Sequence, residues 1–154
     1  MTILAIDPGP FRSAWVAFGP GTGVKAFANA VPNDELLAML RGRLARDFTT
    51  VVIEKIESYG MPVGAEVFET VYASGRFAEA VRPTPVQRIG RGLVKRYLCG
   101  TERAKDTNVR HALLDRYGGS RQAAIGTKAE PGPLYGVSGD VWAALAVAIA
   151  WSRA

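Results

Sequence analysis

The sequence predicts an α/β domain: a mixed sheet that opens with an antiparallel meander and carries helices on its faces. Three observations predict it. The first thirty residues hold three short strand-like runs separated by Gly/Pro turns. Segments of helical spacing then alternate with a β-branched run. The chain closes on an alanine-rich segment that is apolar nearly all round, the pattern of a buried helix. A length of 154 residues suits a single domain, residues 1–154, around one sizeable core.

Taken in order, residues 2–7 form an apolar strand that Asp7-Pro8-Gly9-Pro10 stops. Residues 13–19 and 23–30 follow as strands around the turn at Gly19-Pro20-Gly21. Asn33 reads as an N-cap, and Leu36, Leu37, Leu40 and Leu44 recur at helical spacing, so residues 34–47 are expected to be an amphipathic helix. Residues 49–54 are a short β-branched run, as in a buried parallel strand. A helix is expected over 65–80, a short extended piece at 83–85, and helices over 86–98 and 106–117. Residues 118–137, rich in Gly, Pro and polar side chains, read as a long loop before a final helix over 140–151. The apolar side of the 65–80 helix (Val67, Phe68, Val71, Tyr72, Gly75 and Phe77) could form an interface with a second copy, but most of it is expected to pack on the sheet.

Charge is unevenly distributed. The formal net charge is +5, yet residues 82–121 hold ten Lys and Arg against three Asp and Glu, a net of +7. The remainder holds nine basic and eleven acidic residues, a net of −2. One basic segment on a slightly acidic body fits a polyanionic partner, or equally a solvated, solubilising surface. Cys99 is the single cysteine, which excludes an intramolecular disulfide and a multi-cysteine zinc site. There is no run of eighteen apolar residues, so no membrane is expected, and without a recognisable leader the reading is cytoplasmic.

Three acids stand where acids are costly. Asp7 ends Ile3-Leu4-Ala5-Ile6, Glu54 ends Val51-Val52-Ile53, and Asp140 opens Val141-Trp142-Ala143-Ala144-Leu145. A carboxylate beside the core needs a counter-charge or hydrogen bonds. If the first strand and the 49–54 strand are parallel neighbours, Asp7 and Glu54 end on one edge, and the final helix can bring Asp140 there. Three converging carboxylates repel one another unless a divalent cation neutralises them. Singly, each has a plain alternative: a turn aspartate, an exposed strand end, and a helix N-cap in competition with Ser138. Oxygen donors without a Cys/His cluster point to Mg²⁺ or Mn²⁺ rather than zinc.

These residues, in this order, resemble the RuvC-type Holliday junction resolvases. Ile6-Asp7-Pro8-Gly9 followed by Ser13 looks like the first motif of that family, and Val51-Val52-Ile53-Glu54 followed by Ser58-Tyr59-Gly60 like the second. Val94-Lys95-Arg96-Tyr97-Leu98-Cys99-Gly100 with Lys105-Asp106 resembles the basic segment before the last motif. Gly139-Asp140-Val141-Trp142-Ala143-Ala144-Leu145 resembles the last. The stretch from Ser58 to Thr70 looks closest to the short resolvase-like proteins of bacteriophages, which would place it in a host cytoplasm.

The resemblance implies an RNase H-like, five-stranded mixed sheet and a homodimer that cuts branched DNA, the four-way junction above all. Asp7, Glu54 and Asp140 would be catalytic and metal-binding, with two ions in each site about 3.5–4 Å apart. The products would carry a 5′-phosphate and a 3′-hydroxyl. Arg88, Arg91, Lys95, Arg96, Arg103, Lys105 and Arg110 would contact the phosphate backbone, Lys105 nearest the cleaved phosphate, although about half of them are expected to be ordinary surface cations. Gly90 and Gly92 would mark a flexible turn. Tyr59 and Met61, just beyond Glu54, would touch exposed bases or else serve the turn.

Two positions depart from the family pattern. Ala143 stands where a second acid is usual, and Val141 where some relatives carry histidine. Glu57 and Asp106 are the candidates for a fourth ligand, with Asp106 favoured instead as the N-cap of its own helix. His111 reads as a surface residue rather than a base. The competing readings are an RNase H-like nuclease acting on RNA–DNA hybrid or flap DNA, and a non-catalytic junction-binding protein. A two-domain kinase-like ATPase is excluded by length and by the lack of a P-loop.

Overall fold

Alternation along β1 (Ile3–Asp7) sets the architecture. Ile3 and Ala5 face one core, while Leu4 and Ile6 face another on the opposite side of the sheet. β1 is the middle strand of the sheet in the computed structural model, which describes residues 1–42 and 44–153. On one side it pairs antiparallel with β2 (Arg12–Gly19), which pairs antiparallel with β3 (Gly23–Pro32). On the other it pairs parallel with β4 (Thr50–Lys55), which pairs parallel with β5 (Val86–Gly90). The order β3-β2-β1-β4-β5 is the mixed five-stranded sheet expected.

Helices cover both faces. α1 (Asn33–Arg41) buries Leu36, Leu37 and Leu40, and α2 (Ala65–Ala80) buries Ala73 and Phe77, on the Leu4/Ile6 side. On the Ile3/Ala5 side lies α6 (Val141–Arg153), buried through nine of its thirteen residues. α3 (Arg91–Cys99) and α4 (Asp106–Arg116) pack beside α6 on that face. The 118–137 stretch contains a short α5 (Arg121–Ala124), with Ser120 Oγ accepting from Ala123 N at 3.1 Å, and it buries Ala124, Leu134 and Val137 in the same core. It is a packed connection rather than a free loop.

Several boundaries differ from the sequence reading. The 86–98 helix is instead a strand followed by a helix: Val86–Gly90 gains a full ladder with β4, which outweighs the helix-forming tendency of Gln87 and Arg88. The extended piece expected at 83–85 thus lies just downstream, and Gly90-Arg91-Gly92 is the strand-to-helix junction. α1 stops at Arg41, and Leu44–Asp47 is a separate 3₁₀ turn; Arg43, read as part of that helix, lies outside the described residues.

Asn33 does not cap α1. It is the first helical residue, and its amide is used elsewhere. Of the α2 side chains expected on the sheet, Phe77 is buried, but Phe68, Val71 and Tyr72 are 66%, 48% and 65% exposed. α2 leans on α1, so this stripe is left outward.

Candidate functional site

Sheet register brings the first two acids together. Ile3↔Thr50 through Ile6↔Ile53 runs parallel, so the next residues, Asp7 and Glu54, are neighbours at the carboxyl edge. Period-two alternation puts Asp7 with Ile3 and Ala5, and Glu54 with Val52, on the face that α6 covers. Glu54 is only 4% exposed. The turn after Asp7 is pinned from a distance. Ser13 Oγ accepts from Gly9 N at 3.1 Å and donates to Asn33 Oδ1 at 2.7 Å, while Asn33 Nδ2 donates to the Gly9 carbonyl at 3.0 Å. A Cβ at Gly9 would lie 2.1 Å from the Arg12 carbonyl oxygen, so this turn requires glycine.

Asp140 reaches the same edge from the residue preceding α6. Asn29 on β3 accepts from the Asp140 backbone N–H at 3.1 Å. Gly139 turns the chain with φ +52°, and a Cβ there would meet Asn29 Nδ2 at 2.3 Å. A glycine and an asparagine 110 residues apart in the chain thereby fix where Asp140 stands.

The electrostatics record the crowding. Burial first, then a side-chain hydrogen bond with Glu54 and the charges of Glu54 and Asp140, push the Asp7 carboxyl up to about 9, with Arg91 opposing. A half-buried carboxyl crowded against a buried one, in the field of a third acid, is what a divalent cation relieves, and the oxygen-only donor set suits a hard ion. Asp7, Glu54 and Asp140 are thus chemically fitted to hold one. Among the described residues, however, no three acid, histidine or cysteine side chains already stand as a ligand shell. An arginine takes up part of the space: Arg91 Nη1 donates to Glu54 Oε1 at 3.3 Å.

Beside these acids a cleft of about 180 Å³ opens between α3, α4 and α6, lined by Glu54, Arg91, Lys95, Asp106, Asp140 and Trp142 among others. Ala143 also lines it and brings no acid. Asp106 is the first residue of α4 rather than its cap, which is Lys105, whose N–H is held by Asn108 Oδ1 at 2.9 Å. Its carboxylate accepts instead from Arg91 Nη2, with Lys95 Nζ at 3.7 Å, and Arg91 holds it below the usual carboxylate range. Glu57 pairs with Lys55 at 3.0 Å, and that contact lowers its pKa.

The basic residues divide. Arg91, Lys95 and Arg110 line the cleft, Arg110 with its guanidinium 5.2 Å from the Trp142 ring. Tyr59, exposed at φ +52°, borders a groove with Arg91, Gly92, Lys95 and Glu102. Arg103 and Lys105 are exposed in the α3–α4 connection. Arg96 is tied to Glu102 at 2.6 Å. Arg88 alternates with Ile89 and so points to the opposite face of β5 from the acids. His111 is exposed on α4. Sequence reasoning missed Asn29, Ser13 and Asn33 as supports, and it missed Arg91 as the partner of Glu54; only the glycine ahead of Asp140 carried a local signal.

No protein-family model and no curated protein matches the chain. Solved structures do. A Thermus thermophilus RuvC structure superposes with a TM-score of 0.63 at 21% identity, over 99% of this chain and 96% of that one. The same organism's RuvC in complex with a Holliday junction substrate gives 0.62 at 19% identity, over 99% and 95%. The chain therefore has the RNase H-like fold of RuvC from end to end.

Proposed function

We propose that this protein is a metal-dependent endonuclease that resolves four-way and other branched DNA junctions. The observation that carries the reading is the pairing of half-buried Asp7 with buried Glu54 at the sheet edge, with the Asp140 charge felt at Asp7, in a chain whose fold matches a junction-bound RuvC along its whole length. Asp7, which feels the charges of both other acids, would be the central ligand, and Glu54 and Asp140 would complete the set for Mg²⁺ or Mn²⁺. A divalent ion held there would supply an activated water and stabilise the leaving oxygen of the phosphodiester, and the products would carry a 5′-phosphate and a 3′-hydroxyl.

The chain's own residues do the rest. Lys95 and Arg110 present cations in the cleft next to the acids, and Lys105 and Arg103 extend that surface outward. Such contacts position the backbone without reading sequence, so affinity falls steeply with salt. Tyr59 offers an exposed ring for an unpaired base beside the neighbouring groove, which shares Arg91 and Lys95 with the cleft. The outward stripe of α2, Phe68, Val71 and Tyr72, with Phe11 (67% exposed) next to Tyr72, supports a homodimer whose two sites match the two-fold symmetry of the junction.

The test is cleavage of a synthetic four-way junction, a linear duplex and an RNA–DNA hybrid in Mg²⁺, Mn²⁺ or EDTA. Paired nicks in the junction alone, lost in EDTA and in Asp7→Asn and Glu54→Gln, are expected. Equal cutting of the hybrid would reassign the substrate. Two observations favour a second reading: Glu54 is engaged by Arg91, and Ala143 supplies no acid. Tight junction binding without cutting in either metal would establish that non-catalytic role.

A further inference from the structure

Arg91 is the one cation in contact with the buried Glu54 carboxylate among the described residues, and it is gripped on both sides. Nη1 donates to Glu54 Oε1 at 3.3 Å and Nη2 donates to Asp106 Oδ1. Its place follows from the fold: β5 runs parallel to β4 with Glu54↔Ile89 and Lys55↔Gly90 in register, and α3 starts at the next residue. The guanidinium thus enters the acid edge from the strand beside Glu54. It stands between Glu54 and Asp106, so Asp106 meets the acid cluster through Arg91.

We propose that Arg91 is a resident counter-cation which a divalent ion must displace from Glu54, and that Asp106 is the berth that receives it rather than a fourth metal ligand. Two observations support this assignment. Glu54 is nearly inaccessible, so its charge needs a partner whenever no ion is bound. Asp106, in contrast, is largely exposed, already accepts from Arg91 and has Lys95 Nζ at 3.7 Å, which makes it an anionic anchorage at the cleft rim for a displaced guanidinium. The planar fork of arginine can bridge two carboxylates at once, which a lysine ammonium on a flexible stem does poorly. Arg91 is therefore a positioning residue: it holds Glu54 in place until the ion arrives.

The inference rests on the proposal that Asp7 and Glu54 bind the ion, and the experiment separates the two. Mn²⁺ is titrated into the full chain and free ion is read by electron paramagnetic resonance, with Asp7→Asn as the reference. The set is wild type, Arg91→Met, Arg91→Lys, Asp106→Asn and Arg91→Met/Asp106→Asn. Arg91→Met is expected to tighten Mn²⁺ binding about tenfold and Arg91→Lys a few-fold, although lysine keeps the charge. Asp106→Asn weakens binding in the wild-type background, where Arg91 is left on Glu54 alone, and changes it less than about twofold in the Arg91→Met background. Melting without metal falls in Arg91→Met and recovers to the wild-type value with Mn²⁺; a merely structural residue would lower both. Unchanged or weaker Mn²⁺ binding in Arg91→Met, a wild-type value in Arg91→Lys, or an Asp106→Asn defect that persists in the Arg91→Met background overturns the inference. Should wild type and Asp7→Asn bind Mn²⁺ alike, the metal site itself is wrong and both proposals fall.

Discussion

At the scale of single residues, Asp7 shows how neighbours override an ordinary sequence. Asp-Pro-Gly is common turn chemistry, yet here the carboxyl is held up to about 9 by burial and by Glu54 and Asp140. An unfolded aspartate titrates near 3.9. Between those values the folded state binds the extra proton, so the metal-free protein loses stability from Asp7 as pH rises from about 4 to about 9. Asp7→Asn removes that dependence. Calorimetry in EDTA should find the variant more stable than wild type at pH 8, by at least about 1 kcal/mol, or roughly 2–4 °C for a domain of this size, with the gap closing toward pH 5. Added Mn²⁺ should raise the wild-type melting temperature and leave the variant unmoved. A gap that does not depend on pH would mean that Asp7 is an ordinary ionised carboxylate. The three acids were legible because each breaks a strongly apolar element. Arg91 was legible only as a cation, because its pairing with Glu54 comes from strands that meet far apart in sequence, and no local pattern records that.

At the scale of elements, strongly patterned segments were readable and short ones were not. β1, β4 and α2 came close to their observed bounds because apolar runs and helical spacing decide them. β5 did not: five residues with two long polar side chains become a strand through the ladder with β4, a partner that a local window cannot see. The same limit hid the clamp that seats the last helix. Gly139 adopts φ +52° against Asn29, whose side chain holds the Asp140 N–H. Gly139→Ala forces an L-residue into that conformation and into Asn29, and should cost about 1–3 kcal/mol in denaturant melts. Because Asp140 moves with the clamp, Mn²⁺ affinity should fall as well. Asn29→Ala loses one hydrogen bond, so it should cost about 1 kcal/mol or less and weaken Mn²⁺ binding. Full metal affinity in both variants would mean that Asp140 is placed by α6 alone.

For the whole molecule, the distribution of surface types divides the labour. The sequence located the basic segment, and the fold turns part of it, Arg91, Lys95 and Arg110, into the wall of the acid-edged cleft while sending Arg88 to the other face. What the sequence misassigned was α2: helical spacing marks an apolar side but not what covers it, and two such sides, inward through Ala73 and Phe77 and outward through Phe68, Val71 and Tyr72, share one helix. An exposed apolar stripe of this kind marks an association surface. It is rimmed by charges of both signs, Arg76 with Asp34 at 3.5 Å and Glu69 beside Tyr72, which suits an isologous contact in which a patch meets its own copy. Phe68→Glu/Tyr72→Glu places like charges across such an interface without touching either core. Analytical ultracentrifugation should show wild type as a dimer and the double variant as a monomer of unchanged melting temperature. The monomer keeps a complete acid edge and cleft, so it should bind Mn²⁺ as wild type does and still nick a junction, but the two nicks should become independent events, with singly cut junctions accumulating. A monomeric wild type, or a dimer that survives both glutamates, would place the two-fold contact on another face.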